Sequence, residues 1–159
     1  MAVLTVSDIQ ALDFGYLIGA DLLRFCPSQF LINQETITPG FIEGHVQTAY
    51  AEIISDLSAK CEIAKELTKT PGSVGPPVVP DSRSKTIVKY VATMAIKNIV
   101  SRAPGLPDHL KSNFAEVNQA IMDIRNGQKA LPDLAFETTV DQPNISRTEL
   151  IPSNYKTLG

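Results

Sequence analysis

The stretch DSRSKTIVKYVATMAIKNIVSRAPGLPDHLKSNFAEVNQAIMDIRNG, residues 81–127, predicts two amphipathic helices joined by a tight corner. In each half, apolar residues recur at steps of three and four, which places them along one helical face. These positions are Val88, Val91, Ala92, Ala95, Ile99 and Val100 in the first helix and Leu110, Phe114, Val117, Ile121 and Ile124 in the second. Two such helices on a short link are expected to pack as a long antiparallel hairpin.

Local signals predict the ends of these two helices. Asp81 or Ser82 is expected to cap the first helix, because either side chain can accept a hydrogen bond from a first-turn amide. The prolines of the corner 103–107 cannot continue a helix, so Asp108 is expected to open the second one. Gly127 closes it, since glycine adopts the left-handed conformation without steric cost.

Two further helical segments precede the hairpin. Thr38 and Pro39 are typical of a helix start, and a long amphipathic helix is predicted from there, with an extension to Lys69 left open. Its apolar face is Ile42, Val46, Ala49, Ile53, Leu57 and Cys61. Upstream, a capping box of Ser7 and Gln10 predicts a weaker helix from about residue 8 to 25, interrupted by glycines. The proline-rich and glycine-rich residues 70–80 predict an exposed loop within one domain.

The chain changes character after Gly127. Leu134, Phe136, Thr138 and Val140 alternate with polar or small residues, which is the period of a strand, and the surrounding prolines disfavour helix. We therefore predict a mainly α protein. A small helical bundle spans residues 1–136, with the placement of residues 1–37 left open, and residues 137–159 form an extended, partly β C-terminal arm.

Composition restricts the classes of protein that fit. The chain has 159 residues, 43% of them hydrophobic, a formal net charge of −3 and a pI near 5.3. This favours one folded domain without a strong basic field for nucleic acid. Cys26 and Cys61 do not make a disulfide framework and are interpreted as reduced core residues. With neither a secretory signal nor a membrane-spanning stretch in this sequence, we expect folding in a cytoplasm and no membrane partner.

Residues that carry chemistry do not form a recognisable site in the sequence. His45 and His109 have no second ligand at a chelating spacing, and Ser73 lacks the strand-turn-helix setting of a nucleophile elbow. Glu52 and Asp56 share a helical face, but carboxylates four residues apart are common on surface helices. We therefore predict that the protein is not an enzyme and has no catalytic, cofactor or metal site.

The most regular charge pattern lies along one side of the first helix of the hairpin. We call it the lysine ladder and define it as Lys85, Lys89, Thr93 and Lys97, with Arg83 and Arg102 at its ends. The simplest interpretation is a solvated helix face. The functional interpretation is a contact strip for an acidic neighbouring protein or for nucleic acid, although Tyr90 alone offers no platform for base stacking.

The layout also resembles a known family. The run VQTAYAEIISDL at 46–57, Tyr90 and Ala95 on the next long helix, and residues 114–127 followed by Leu131 are similar to the head-tail connector, or adaptor, proteins of tailed bacteriophages, in particular the Mu-like prophage connectors. The resemblance covers about residues 38–135 and is one of pattern. It departs from the family in the loop at 70–80, which is longer here.

The resemblance implies a structural virion protein of the phage neck, assembled in the host bacterial cytoplasm. About a dozen copies would form a homo-oligomeric ring beneath the portal and join the capsid to the tail, with DNA passing through the channel without sequence-specific contact. The implied partners are the portal protein, tail or stopper proteins and neighbouring copies. The family has no catalytic residues to carry over.

Two different surfaces are needed for each subunit of a ring. Candidates are the lysine ladder with Arg102 on one side and the acidic pair Glu52 and Asp56 on the other, with Phe136 and Val140 contributed by the arm. The alternative function is a helical nucleic-acid-binding or regulatory module that uses Lys85, Lys89 and Lys97; the acidic net charge weighs against it.

Overall fold

The computed structural model describes residues 4–32, 37–58, 63–101, 103–129 and 131, and this part of the chain is mainly helical, as predicted. It contains six α-helices and no strand. The helices are α1 (Val6–Gln10), α2 (Gly19–Phe25), α3 (Pro39–Leu57), α4 (Ile63–Leu67), α5 (Lys85–Val100) and α6 (Asp108–Arg125). None of them, within the described ranges, has the length and apolar content that crossing a membrane requires.

Helix α5 lies at the centre of the bundle and contacts α2, α3, α4 and α6. All six apolar positions predicted for its inner face are buried, and Ile87, Tyr90 and Ile96 are buried as well. The helix is therefore covered on more sides than a single amphipathic stripe requires. This is what its apolar sequence favours, because a helix that is apolar most of the way round is stable only when it is surrounded.

Helix α3 begins as predicted. The Phe41 backbone N–H donates a 3.2 Å hydrogen bond to the Thr38 side-chain oxygen, and Pro39 occupies the first turn. The expected face from Ile42 to Leu57 is buried. Helix α4 lies in the segment up to Lys69, into which the sequence allows the long helix to extend. Cys61 falls outside the described residues.

The predicted cap of α5 is wrong by two residues or more. Ser84 caps the helix, and its hydroxyl oxygen accepts a 3.2 Å bond from the Ile87 backbone N–H. The two expected caps have other roles: Asp81 binds Arg83, and Ser82 bonds to Thr70 across a loop. Three cap-type residues within four positions make the choice ambiguous, and Asp81 and Ser82 are engaged by Arg83 and Thr70 instead.

Helix α6 follows the corner and contacts both α5 and α3. Gly105 in the corner and Gly127 after the helix have φ angles of 70° and 77°, conformations that favour glycine. The helix starts at Asp108 as predicted. Its buried face includes four of the five expected residues; Phe114 is half-buried, and Ala120 is buried in addition.

The N-terminal region folds as two short helices, in agreement with the predicted interruption. The helix start was placed too late, because the capping box is formed by Thr5 and Asp8, and not by Ser7 and Gln10. Between the helices the chain turns at Gly15, whose φ is 84°. The turn closes with a 2.8 Å bond from the Gly19 N–H to the Leu12 carbonyl.

Gly19 lies against the backbone of α1. A Cβ atom added at this position would be 1.6 Å from the carbonyl oxygen of Ile9, closer than any pair of nonbonded atoms can come. Only a residue without a side chain allows α2 to approach α1 this closely. The glycine that weakens the predicted helix is thus what permits the contact between the two helices.

The predicted C-terminal arm, residues 137–159, lies outside the described residues, as do Phe136 and Val140. Leu131, the last described residue, is buried in the core. The expected strand therefore stays a prediction from sequence.

Candidate functional site

The lysine ladder is less continuous in the structure than in the sequence. Lys85 is exposed at the start of α5, and Lys89 and Lys97 are half-buried. Thr93, the rung between them, is only 3% exposed and belongs to the core. Arg102 lies outside the described residues. The described part of the ladder is therefore two segments of positive charge on either side of a buried position.

Lys89 has an acidic neighbour on α6. Its Nζ lies 3.9 Å from Oε1 of Glu116, whose side chain is well exposed, while that of Lys89 is 42% exposed. An exposed pair at this distance contributes about 0–1 kcal/mol and is screened by salt. This pair offsets part of the positive charge of the ladder and forms a weak link between α5 and α6.

Arg83 does not end the ladder, and this part of the prediction is wrong. The residue is 6% exposed, and its guanidinium points into the bundle toward Asp21 on α2. Nη1 donates to Asp21 Oδ2 at 2.7 Å and to the Tyr16 carbonyl at 2.8 Å. Nη2 donates to Asp21 Oδ1 at 3.3 Å and to Asp81 Oδ2 at 2.9 Å.

The remaining bonds of this cluster complete the pairing of both carboxylates. Arg83 Nε donates to Asp81 Oδ1 at 3.0 Å, and the backbone N–H of Ile18 donates to Asp21 Oδ2, also at 3.0 Å. We call Asp21, Asp81 and Arg83 the charge cluster; Asp21 and Arg83 are buried, and Asp81 is exposed at its edge. Asp21 is fully buried, so its charge depends on these partners, because an unpaired buried carboxylate is strongly unfavourable.

The pairing within the cluster shifts the pKa values of Arg83 and Asp81. Burial alone would lower the pKa of Arg83, but the hydrogen bonds that its guanidinium donates to Asp81 and Asp21, together with the charges of both carboxylates, outweigh burial and raise the pKa above its ordinary value. The hydrogen bond from the Arg83 side chain lowers the pKa of Asp81. The cluster joins α2, the turn at Tyr16 and the start of α5. All its groups are engaged with each other, which makes it a structural element of the bundle.

The acidic pair on α3 is also divided. Glu52 is exposed, whereas Asp56 is half-buried and its Oδ1 accepts a 3.1 Å bond from Nη1 of Arg125 in the last turn of α6. The predicted shared acidic face therefore has one exposed carboxylate and one that links α3 to α6. The partner suggested by sequence spacing for Asp56, Lys60, lies outside the described residues.

The loop at 70–82 is held together by its own hydrogen bonds. At its base, the Thr70 N–H donates to the Ser82 hydroxyl at 3.0 Å, and the Ser82 N–H donates to the Thr70 carbonyl at 3.1 Å. Further out, the Ser73 N–H donates to the Val79 carbonyl at 2.9 Å, and the Val79 N–H donates back to the Ser73 hydroxyl at 3.1 Å. The loop is a narrow hairpin-like projection.

Two apolar side chains lie at the tip of this loop. Val74 is 95% exposed and Val78 is 74% exposed, the two highest values among the large exposed hydrophobic residues that the structure describes. Sequence reasoning identified the loop but missed this feature, because proline and glycine signals report on backbone conformation and not on which side chains remain uncovered.

The histidines and the described cysteine have ordinary environments. His45 is half-buried, with its ring centroid 4.6 Å from that of Phe41, and His109 is exposed in the first turn of α6. Cys26 is a free buried thiol, and burial raises its pKa to about 12. Among the described residues, there is no group of three or more side chains that could hold a metal ion.

No protein family model matches the chain, and no match was found among curated proteins or solved structures.

Proposed function

We propose that this chain is a structural subunit of a tailed-phage neck, a head-tail connector that joins neighbouring copies in a ring beneath the portal. The observation that carries this proposal is where the residues of the resemblance lie. Val46, Ala49 and Ile53 on α3 are buried, as are Tyr90 and Ala95 on α5. Val117 and Ile121 on α6 are buried too, and the three helices contact one another. The residues that resemble the connectors thus form one shared core.

We further infer that α5 and α6 form the antiparallel hairpin expected from the sequence. Support comes from the short corner, in which Gly105 has a φ of 70°, and from the pairing of Lys89 with Glu116. The bond between Arg125 and Asp56 ties the end of α6 to the end of α3. A three-helix core linked in this way is a rigid block, suited to repeated packing around a channel.

In this proposal, residues 137–159 form the arm that reaches an adjacent subunit. The alternation through Phe136 and Val140 supports strand character, and an isolated strand needs a partner for its backbone groups. Adding the strand to the sheet edge of a neighbouring protein, or laying the arm along a groove, provides those partners. The portal and the tail or stopper proteins are the proposed contacts above and below the ring.

The charged side chains left over by the fold are the proposed polar contacts between subunits. Lys85 and Lys97 form no ion pair within the described part of the chain, and Glu52 is exposed there as well. Contacts of opposite sign on two sides of each subunit steer neighbouring copies into register, and they act more on specificity than on affinity.

The decisive experiment is electron microscopy of the particle from which the chain comes, with this protein labelled. We expect the label in the neck, in a ring below the portal. A label elsewhere, or a particle in which the protein is absent, would overturn the proposed function.

The role of the arm is tested by a chain that ends at Phe136. We expect it to lose incorporation into the neck while circular dichroism shows an unchanged helical bundle, since the six helices precede the deletion. A matched control replaces residues 137–159 by a glycine-serine linker of equal length, which preserves chain length but not the strand pattern. Normal incorporation of the truncated chain would show that the arm is misassigned.

Binding to duplex DNA discriminates the connector from the nucleic-acid-binding alternative. We expect little binding by the isolated protein, because Thr93 interrupts the ladder and Glu116 offsets Lys89. Tight binding that weakens steeply with salt, and that is lost in Lys85→Glu, would favour the alternative.

A further inference from the structure

The end of α6 carries the only asparagine in the sequence that is followed by glycine, Asn126 before Gly127. Asparagine is a thermolabile residue, because the backbone nitrogen of the next residue can attack the carbon of its side-chain amide. Glycine as the next residue favours the attack, since it has no Cβ to obstruct the approach. Both residues are exposed, so water reaches the pair. The sequence and the exposure therefore supply the groups for an intramolecular reaction.

The fold holds the attacking nitrogen in a hydrogen-bonded cap. The Gly127 N–H donates to the Ile124 carbonyl at 3.0 Å, and the Gln128 N–H donates to the Asp123 carbonyl at 2.8 Å. With Gly127 at a φ of 77°, these two bonds form a Schellman motif, which satisfies the last carbonyls of a helix. We call this pair of bonds the α6 cap. The nucleophile of the reaction is thus one of the donors that close the helix.

The backbone angle of Asn126 also keeps the reacting atoms apart. Its ψ is 0°, which directs the Gly127 nitrogen away from the Asn126 Cβ. The five-membered ring of the reaction closes only when this nitrogen turns over Cβ and meets the side-chain carbon Cγ. That turn is a rotation about the Cα–C bond of Asn126. Because both donors of the α6 cap follow this bond in the chain and both acceptors precede it, the rotation opens the cap.

We propose that Asn126 is a self-modification site, at which local opening of the α6 cap permits deamidation of the side chain. The Gly127 nitrogen loses its proton to water and forms a bond to Cγ of Asn126, while the bond from Cγ to Nδ2 breaks and Nδ2 leaves as ammonia. Water then opens the cyclic imide. Breaking its Cγ–N bond gives aspartate, and breaking the bond from nitrogen to the main-chain carbonyl carbon gives isoaspartate. One water is consumed and one ammonia is released.

Either product weakens the α6 cap. An aspartate places a negative charge at the negative end of the helix dipole, beside Arg125, which already binds Asp56 at 3.1 Å. An isoaspartate adds one carbon to the main chain, so the N–H groups of Gly127 and Gln128 lose their register with their acceptors. The chain then no longer turns in the same way toward Leu131, which is buried in the core. The modification thus makes a transient opening permanent, and it needs only this chain and water, whatever the assembly in which the chain serves.

The rate is measured on the folded protein and on the same protein unfolded in guanidinium chloride, both at mildly alkaline pH in water enriched in heavy oxygen. Each imide that opens takes up an oxygen from the water, so mass spectrometry distinguishes new events from old ones. Cleavage after lysine releases residues 112–129 as one peptide, which contains Asn113 and Asn118 as internal controls. We expect Asn126 to convert before either control, and at least about tenfold more slowly in the folded protein, because the nitrogen is free only in the opened fraction of molecules.

Gln128→Pro tests the α6 cap without changing the Asn–Gly pair. It removes the N–H that bonds to the Asp123 carbonyl, so the cap opens more often. We expect the ratio of the folded rate to the unfolded rate to rise at least about fivefold. Using this ratio removes any direct effect of proline on the chemistry.

Two further variants test whether contacts of α6 act through the cap. Asp56→Ala releases Arg125 in the last turn and should raise the folded rate, though less than Gln128→Pro does. Lys111→Ala is the matched control, because it removes an exposed pair with Asp108 at the opposite end of the helix and should leave the rate unchanged.

Hydrogen exchange of the Gly127 amide gives a second readout, one that a labile sequence without a gate would not move. This N–H exchanges with solvent through the same opening, because its bond to the Ile124 carbonyl must break first. Its exchange rate, followed by NMR, should therefore rise in Gln128→Pro together with the rate of deamidation.

Several results would overturn the proposed site. Equal rates in the folded and unfolded protein would show that the α6 cap does not protect Asn126. Conversion at Asn113 or Asn118 first, or a folded Gln128→Pro variant that reacts no faster than the wild type, would contradict it as well. If the unfolded protein converts completely while neither folded chain reacts, the native protein does not open at this position, and the proposal is wrong.

Discussion

The region at residues 4–32 and the long helices α3, α5 and α6 are held in place by different physical means. The long helices bury continuous apolar faces against one another, so each is supported by many interchangeable contacts. The N-terminal region also buries apolar side chains, but its position depends on a few specific contacts. These are the close approach of Gly19 to Ile9 and the bonds from Arg83 to Asp21 and the Tyr16 carbonyl.

This difference predicts at which positions a single substitution lowers the stability of the fold most. A periodic face tolerates one volume-conserving apolar change, because the core stays filled and neighbouring side chains still cover it. A buried charge or a backbone contact has no substitute, so its loss appears in full. The loss of unfolding free energy should therefore be largest at the specific contacts and smallest at exposed helix faces.

The largest effect is expected for Arg83→Met. It leaves Asp21 buried without its main partner, and breaking a buried pair from one side costs about 3–5 kcal/mol of unfolding free energy. Urea denaturation measures the loss. Arg24→Met is the matched control, because Arg24 is 3.8 Å from Asp21 and largely exposed, so it should cost less than about 1 kcal/mol.

A second change tests whether the buried charge is the cause. Asp21→Asn added to Arg83→Met keeps an acceptor for the Ile18 N–H and removes the unpaired charge, so it should recover part of the stability. If Arg83→Met and Arg24→Met cost the same, the N-terminal region does not depend on the cluster.

Gly19→Ala is expected to cost about 2–3 kcal/mol, since a Cβ at this position clashes with the Ile9 backbone and the two helices must separate. Gly44→Ala in α3 is the control. There the added methyl meets open space within a long helix, and alanine should stabilise by about 0.5–1 kcal/mol. We expect the midpoint of thermal unfolding to fall for Gly19→Ala and to rise for Gly44→Ala. If both substitutions destabilise the protein, the two glycines do not differ in the way proposed.

Acid should reveal the charge cluster through Asp81. Hydrogen bonding to Arg83 lowers its pKa in the folded protein below 3.8, so the folded state favours the ionised carboxylate. That stabilisation is present above the unfolded pKa and is lost as the pH falls through the folded pKa. Asp81→Asn should therefore cost less than about 1 kcal/mol near pH 7, because solvent screens this exposed carboxylate, and it should flatten the decline in stability below about pH 4. An unchanged pH profile in urea titrations would contradict this assignment.

The smallest effect is expected for Lys89→Ala on the outer side of α5. Its exposed pair with Glu116 at 3.9 Å should contribute less than about 0.5 kcal/mol, and that contribution should disappear in high salt. Chemical denaturation at low and high ionic strength measures it. A loss comparable to that of Arg83→Met would mean that exposed charges hold this bundle as firmly as buried ones.

The helices themselves were predictable from sequence because their signals are local. Apolar spacing predicted α3, α5 and α6, and Thr38 and Asp108 marked two of their starts correctly. The predicted caps of α5 and α1 were wrong because three cap-type side chains lie within four residues at each site. Which one caps depends on partners elsewhere in the fold, as for Ser82, which bonds to Thr70.

The candidate site was less predictable because periodicity identifies a helix face but not what covers it. Arg83 precedes α5 in line with the ladder, yet its partner Asp21 is 62 residues away in the chain. A retrospective signal exists: Asp21 is an acidic residue among the apolar residues of α2, and such a charge needs a cation nearby. The arm, with Phe136 and Val140, stays a prediction from sequence.

The hydrogen bonds between Thr70 and Ser82 close the loop at its base and separate it from the helical bundle. Because these bonds close the loop at its base, the exposed junction of Gly75 and Pro76 is a position at which a fluorophore or an epitope can be introduced. A reporter placed there would respond to whatever approaches this exposed loop, while the hydrogen-bonded base keeps the change away from the helices.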